Sequence, residues 1–139
     1  MYTVMIAEDE LLVRVGIASS LPWGELNARL IAEAEDGQRA WELYQENHPD
    51  VVITDIRMPK MDGLELIKRI RSDNKNCAII VITNVDQDES LLKMRDFGIS
   101  DILLKATMKL DDIRKSLEKA CATIPSQSGS IVEKEQSDY

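Results

Sequence analysis

The sequence predicts an α/β fold in which five parallel strands alternate with five helices in a doubly wound sheet. Short apolar runs rich in β-branched residues alternate with longer stretches of helical periodicity, which is the pattern of βαβ units. One run, residues 51–54, is β-branched at every position, as expected for a strand buried on both faces. The chain has 139 residues, 44% of them hydrophobic, which is enough for one compact core and too little for two.

The composition of the predicted strands distinguishes the edge of the sheet from its centre. Leu30, Ala32 and Ala34 alternate with other side chains, which favours a position near the edge. Residues 78–82 are apolar throughout, which favours a strand buried on both faces. In chain order, the predicted strands comprise residues 4–7, 30–34, 51–54, 78–82 and 102–104.

Each predicted helix has an apolar face, and four of the helices have recognisable ends. Pro22 with Gly24 ends the first. Residues 47–49 end the second helix, Asp62 begins the third with Glu65 in capping-box spacing, and Gly98 ends the fourth. In chain order, the apolar faces consist of Leu11, Leu12, Val15 and Ala18; Ala40, Trp41, Leu43 and Tyr44; Leu64, Ile67 and Ile70; Leu91, Leu92 and Phe97; and Leu110, Ile113, Leu117 and Cys121.

Charge and composition restrict the partners and the location of the protein. The formal net charge is -8, so these residues repel phosphate backbones and anionic membrane surfaces, which argues against direct nucleic-acid binding. No apolar run reaches membrane-spanning length and no secretory signal begins the chain, so we predict a cytoplasmic protein without membrane contact. The two cysteines, Cys77 and Cys121, lack the clustering of a disulfide framework or a zinc site.

The composition changes near the end of the chain. From residue 124 onward, proline, serine, glutamine and glycine give way to mostly charged residues. We therefore predict one domain over residues 1–123 and a linker or disordered tail over residues 124–139.

Polar side chains stand at the ends of four predicted strands. Because ligands of open α/β sheets bind at the carboxyl ends of the strands, we expect these side chains to converge. They are Glu8, Asp9, Asp55, Thr83 and Lys105. Crowded carboxylates repel one another unless a cation is shared, and such oxygen ligands suit Mg²⁺. A carboxylate nucleophile, a divalent ion, a lysine and a hydroxyl are sufficient for phosphoryl transfer.

Four segments of the chain resemble the response-regulator receiver family of two-component signalling. They are residues 6–10, 51–66, 81–83 and 103–105, and the stretch from Asp55 to Leu66 is the most specific of them. The resemblance covers roughly residues 2–122. It implies a flavodoxin-like fold with strand order 2-1-3-4-5.

The resemblance also implies roles for individual residues. Asp55 would accept a phosphoryl group from a phosphohistidine on a sensor histidine kinase, and Lys105 and Thr83 would contact the phosphoryl oxygens. The implied Mg²⁺ ligands are Glu8, Asp9, Asp55 and the backbone carbonyl of Arg57. A receiver catalyses only its own phosphorylation and dephosphorylation, so we do not expect an enzyme that acts on external substrates. We interpret Glu10 as an acid favoured by the helix dipole and Asp62 as a helix cap.

Three positions depart from the family pattern. Ala106 stands where proline is usual, so we expect no cis peptide there and a less rigidly held lysine. Asn84 replaces a small residue beside Thr83 and could crowd the phosphoryl pocket. Ile102 replaces an aromatic residue, so an aromatic rotamer switch cannot operate at that position.

The resemblance is strongest to receivers joined to AraC-type DNA-binding domains. It predicts a parent protein that contacts DNA only through an output domain absent from this chain. We also predict a homodimer through residues 86–121, whose mixed charges could pair across a two-fold axis.

Three other functions stay open. The chain could be a stand-alone receiver, or a pseudo-receiver that binds proteins without accepting phosphate, a reading that Asn84 and Ala106 keep open. It could also be a phosphohydrolase with Asp55 as nucleophile, although Arg57 stands where the Asp-x-Asp phosphatases carry a second acid.

Overall fold

A single parallel sheet organises the chain. The structure is a computed structural model that describes residues 1–84 and 89–124. Its strands lie in the order β2-β1-β3-β4-β5, which confirms the predicted order. The strands are β1 Tyr2–Ala7, β2 Ala28–Ala34, β3 Val51–Asp55, β4 Ala78–Thr83 and β5 Asp101–Leu104.

Helices cover both faces of the sheet, as predicted for a doubly wound fold. Those in the described residues are α1 Leu11–Ser20, α2 Gly37–Asn47, α3 Gly63–Asp73, α4 Glu89–Arg95 and α5 Leu110–Thr123. None of these helices is long and apolar enough to cross a membrane.

Two apolar cores flank the sheet. Buried residues of α1 and α5 pack on one face, which we call the α1/α5 layer, and buried residues of α2, α3 and α4 pack on the other, the α2/α3/α4 layer. Strand β3 is buried at every position, with Val52 in the α2/α3/α4 layer and Ile53 in the α1/α5 layer. This is the burial predicted for residues 51–54, and Cys77 and Cys121 are also buried, as free thiols.

The predicted face of α1 is wrong at three of its four residues, and the fourth, Ala18, is partly buried against the α1/α5 layer. Leu12 is 86% exposed, Leu11 and Val15 are also exposed, and the fully buried residue of this helix is Ile17. The segment is apolar on several sides, so its periodicity does not determine which side the sheet covers. Leu92, predicted on the apolar face of the fourth helix, is 71% exposed, and Leu110 is exposed as well.

The predicted helix ends are largely confirmed. The Asp62 carboxylate accepts a hydrogen bond of 2.9 Å from the backbone N–H of Glu65, which caps α3. Helix α2 ends at Asn47, and its C-cap residue His48 has the left-handed conformation with φ 45°. Helix α4 ends at Arg95, three residues before Gly98, which has the expected positive φ of 75°.

The last described residue belongs to the core. Ile124 is buried and packs in the α1/α5 layer. Residues 125–139 lie outside the described residues, so the predicted linker or tail stays a prediction.

Candidate functional site

Parallel strands bring the predicted site residues to one edge of the sheet. Asp55 ends β3 and Thr83 ends β4, while Glu8 directly follows β1 and Lys105 directly follows β5. The registers align these ends, because Ala7 pairs with Thr54 on the neighbouring strand. Residues far apart in sequence therefore meet at one place, as expected for an open α/β sheet.

Lys105 is the centre of the cluster. Its ammonium nitrogen lies 2.8 Å from Asp55 Oδ2 and 2.7 Å from Glu8 Oε1, and it also contacts the carboxylate of Glu10. The Lys105 side chain is only 6% exposed. Burial alone would lower the pKa of Lys105, but the hydrogen bonds to Asp55, Glu10 and Glu8 outweigh it and raise the pKa above its usual value. The lysine is therefore a fixed positive charge.

The carboxylates of Glu8, Asp9 and Asp55 form a group suited to a metal ion. One oxygen atom of each lies within 4.8 Å of the others. Glu8 is fully buried, and its Oε1 accepts no well-aligned hydrogen bond despite its short distance to Lys105. A buried carboxylate oxygen without a hydrogen bond fits a hard divalent cation such as Mg²⁺, which takes oxygen ligands.

Burial also changes the acidity of Glu8. Desolvation raises its pKa from 4.5 to about 7, and the negative charge of Asp55 acts in the same direction. Hydrogen bonds from Lys105 and from the backbone N–H of Glu10 oppose this change without cancelling it.

Asp55 is held at both carboxylate oxygens. Oδ1 accepts a hydrogen bond of 2.7 Å from the backbone N–H of Ile56, and Oδ2 accepts one of 2.8 Å from Lys105. The carboxylate is almost wholly buried, yet it adjoins the residues of an open cleft of about 470 Å³. The cleft is lined by Asp9, Arg57, Met58, Pro59 and Asp62.

Thr83 and its neighbours lie at the end of β4. Thr83 is buried and its backbone oxygen accepts a 2.7 Å hydrogen bond from the N–H of Lys105. Asn84 is exposed, and residues 85–88, which follow it, lie outside the described residues. The peptide bond between Lys105 and Ala106 is trans, like the others in the described ranges, as expected without proline.

One residue of the site, Glu10, could not be recognised from the sequence. Glu10 is the N-cap residue of α1, but its side chain makes no cap hydrogen bond, and its carboxylate contacts Lys105 instead. Its sequence signal is its position directly after the acid pair, and the helix dipole alone favours an acid at such a position. The contact also shows that Lys105 is closely held in a chain that lacks the following proline.

Comparison with known proteins supports the family resemblance. Residues 4–118 match the family model of the response regulator receiver domain. The uncharacterized transcriptional regulatory protein YesN of Bacillus subtilis (strain 168) is 35% identical over 127 residues, which cover 91% of this chain and 34% of YesN. The chain thus spans about a third of the length of this curated relative.

Solved structures show the same architecture. The REC domain of AraT, a response regulator from Geobacillus stearothermophilus, has a TM-score of 0.79 at 37% identity, over 87% of this chain and 95% of that one. A two component transcriptional regulator AraC from Clostridium phytofermentans has a TM-score of 0.76 at 28% identity, over 88% and 94%. By its sequence, its strand order and the convergence of its acids and lysine, the chain belongs to the response regulator receiver domain family.

Proposed function

We propose that Asp55 accepts a phosphoryl group in a Mg²⁺-dependent reaction, and that a sensor histidine kinase supplies the group. The observation that carries the proposal is the ammonium of Lys105, 2.8 Å from a carboxylate that stands beside two further acids. Phosphoryl transfer depends mainly on positioning and on charge neutralisation. The strand ends position Asp55 beside Lys105, and a bound Mg²⁺ would supply the further positive charge that the crowded acids require.

In the proposed reaction, an Asp55 carboxylate oxygen forms a bond to phosphorus. The bond between phosphorus and the donor's histidine nitrogen breaks, and that nitrogen keeps the electron pair. The N–H of Ile56 orients the Asp55 carboxylate through Oδ1. Lys105 would balance charge on the phosphoryl oxygens, and the hydroxyl of Thr83 would donate a hydrogen bond to them. We assign the Mg²⁺ site to Glu8, Asp9, Asp55 and the Arg57 carbonyl; the bound ion would neutralise negative charge during transfer.

The kinase would approach the carboxyl edge of the sheet. Helix α1 begins directly after Glu10, and its exposed Leu11 and Leu12 lie in the turn nearest the site. A groove runs beside them, lined by α1 and by Met108, Lys109, Leu110 and Ile113. These exposed apolar side chains would give the kinase an apolar surface to bury beside the reactive carboxylate.

The test of the proposed reaction is the intact mass of the protein after incubation with acetyl phosphate. We expect one phosphoryl adduct in the presence of Mg²⁺ and none after the metal is chelated. If the folded protein forms no adduct in Mg²⁺, the chain is a pseudo-receiver that acts as a protein-binding module.

Mg²⁺ binding is expected to strengthen as the pH rises from about 5 to about 7 and to level off above that, because Glu8 must lose its proton to bind a metal. In the metal-free protein, the raised pKa of Glu8 makes the free energy of unfolding fall as the pH rises. The stability contributed by protonated Glu8 is complete below pH 4.5 and is lost as the pH rises through about 7.

Calorimetric titrations with Mg²⁺ at several pH values check the pH prediction. Glu8→Gln is the control, and it should bind Mg²⁺ more weakly and with little pH dependence over this range. A natural chain whose affinity is as insensitive to pH as that of the variant would contradict the role given to Glu8.

We also propose that the parent protein is a transcriptional regulator with an AraC-type DNA-binding output domain. The chain resembles a transcriptional regulatory protein and an AraC regulator, and it covers only 34% of the former. Its own charge of -8 opposes direct contact with DNA. The predicted linker, which would follow the buried Ile124, would lead to that output domain.

Phosphorylation is expected to promote a homodimer through residues 86–121. The described part of this surface carries the exposed Leu92 on α4 and the edge strand β5. Arg114 already pairs with Asp111 and Glu118 within its own helix, so Leu92 is a better candidate than Arg114 for the contact between copies. Burying an apolar side chain of the size of leucine would contribute about 2 kcal/mol to the free energy of association.

Sedimentation with and without Mg²⁺ and beryllofluoride, an analogue of the phosphoryl group, measures whether the chain forms the dimer. We expect Leu92→Asp to prevent the dimer. Leu12→Asp should leave the dimer intact, because Leu12 is an even more exposed leucine in the opposite layer. A natural chain that stays monomeric under both conditions would overturn this proposal.

A further inference from the structure

The ammonium of Lys105 has no hydrogen-bond donor left for a new acceptor. An ammonium group carries three N–H donors, and here the three acceptors are the carboxylates of Glu8, Glu10 and Asp55. A phosphoryl oxygen can therefore bind Lys105 only if one of these carboxylates gives up its hydrogen bond.

The three carboxylates differ in what it costs to release them. Glu8 is fully buried, so without Lys105 its charge would be balanced by the proposed Mg²⁺ alone. Phosphorylation would convert the Asp55 carboxylate, which now accepts from Lys105, into a weaker acceptor, and the attached phosphoryl oxygens would then compete with Glu8 and Glu10 for the ammonium. The Glu10 side chain is 51% exposed, so water can replace the ammonium at little cost. The added phosphoryl charge would also repel the Glu10 carboxylate.

We propose that Glu10 is a displaceable partner of Lys105, which holds the ammonium before phosphorylation and yields its hydrogen bond to a phosphoryl oxygen afterwards. This inference rests on the proposed phosphorylation of Asp55 and adds a residue that competes with its product. Glu10 is a positioning residue in this scheme, since it acts on the phosphoryl group only through Lys105.

Displacement of Glu10 connects the site to a second element of the fold. Glu10 is the N-cap residue of α1, whereas Lys105 follows β5. The ion pair joins these segments across 95 residues of sequence, and phosphorylation would separate them. The first turn of α1, with the exposed Leu11 and Leu12, would then lose the ion pair that joins its N-cap residue to the end of β5.

The experiment measures the affinity for beryllofluoride by calorimetry at saturating Mg²⁺. We expect Glu10→Gln to bind beryllofluoride about fivefold more tightly than the natural chain, the ratio expected for losing a competing, half-exposed ion pair. Asp62→Asn is the matched control: it removes one negative charge from the lining of the neighbouring cleft, and Asn can still cap α3. This control should change the affinity by less than about twofold.

A second pair of variants tests whether Glu10 acts through Lys105. Lys105→Met should weaken beryllofluoride binding, and adding Glu10→Gln to that variant should produce no further gain. If Glu10→Gln and Asp62→Asn raised the affinity for beryllofluoride equally, the cause would be the loss of any negative charge near the site, and the proposal would be overturned. Weaker binding by Glu10→Gln would also overturn it, because Glu10 would then assist Lys105.

Urea unfolding in the absence of Mg²⁺ separates failure of this inference from failure of the proposed function. The double-mutant cycle of Glu10→Gln and Lys105→Met should show a favourable coupling between the two side chains. If no variant binds beryllofluoride, the proposed phosphorylation fails, and the competition fails with it, even if the coupling is present. If the natural chain binds beryllofluoride and the coupling is absent, only the inference about Glu10 is overturned.

Discussion

Replacing Asp55 by asparagine is expected to abolish the phosphoryl adduct formed with acetyl phosphate and Mg²⁺. The amide keeps the size of the side chain and an oxygen that can accept the hydrogen bond from the N–H of Ile56, but it is not a carboxylate nucleophile. The substitution also removes one of the carboxylates crowded around Lys105, so we expect the metal-free variant to be at least as stable as the natural chain.

Intact mass and urea unfolding together measure both effects of the Asp55 substitution. Asp62→Asn is again the matched control, because it removes an acid from the cleft lining without touching Lys105, and it should retain the adduct. An adduct of equal yield on folded Asp55→Asn would show that another residue accepts the phosphoryl group.

Replacing Gly63 by alanine is expected to lower the free energy of unfolding by about 3 kcal/mol. A Cβ atom at Gly63 would lie 2.1 Å from the backbone oxygen of Asp55 and 3.0 Å from the Cα of Ile56. Both neighbours are backbone atoms at the buried end of β3, so either this strand end or the start of α3 must move. The N–H of Gly63 also donates a 2.8 Å hydrogen bond to the oxygen of Ile56, which such a movement would stretch.

Gly16 provides the control for the Gly63 substitution. It lies inside α1, and a Cβ atom there would meet nothing within 4 Å. Gly16→Ala should therefore raise the free energy of unfolding by about 1 kcal/mol, the usual helix preference for alanine over glycine. Urea denaturation of the two variants should show shifts of opposite sign. Shifts of the same sign would mean that the contact between Gly63 and Asp55 is looser than the structure indicates.

Much of the fold could be predicted because strand patterns in this chain are strong. The β-branched run that leads to Asp55 is typical of a strand buried on both faces, and such a strand lies at the centre of a parallel sheet. The placement of Asp55, Thr83 and Lys105 then follows from the rule that parallel strands end at a common edge. The particular strand order came from the family resemblance.

The orientation of α1 and the role of Glu10 could not be predicted, for different physical reasons. Helix α1 has apolar residues on several sides, so local periodicity leaves its rotation to tertiary packing, which buries Ile17 and exposes Leu12. The contact of Glu10 with Lys105 joins two flexible side chains 95 residues apart, and the rotamers that bring them together leave no pattern in the sequence.

The burial of β3 on both faces has a consequence for how this protein can diverge. Neighbouring positions of the strand serve different layers, with Val52 facing α2, α3 and α4 and Ile53 facing α1 and α5. The exposed surfaces of α1 and α4 are therefore supported by separate sets of buried side chains, and a substitution within one set removes no side chain from the other. The proposed kinase-docking leucines on α1 and the proposed dimer contact on α4 can therefore be substituted separately during evolution. Asp55, at the end of β3, is retained in either case.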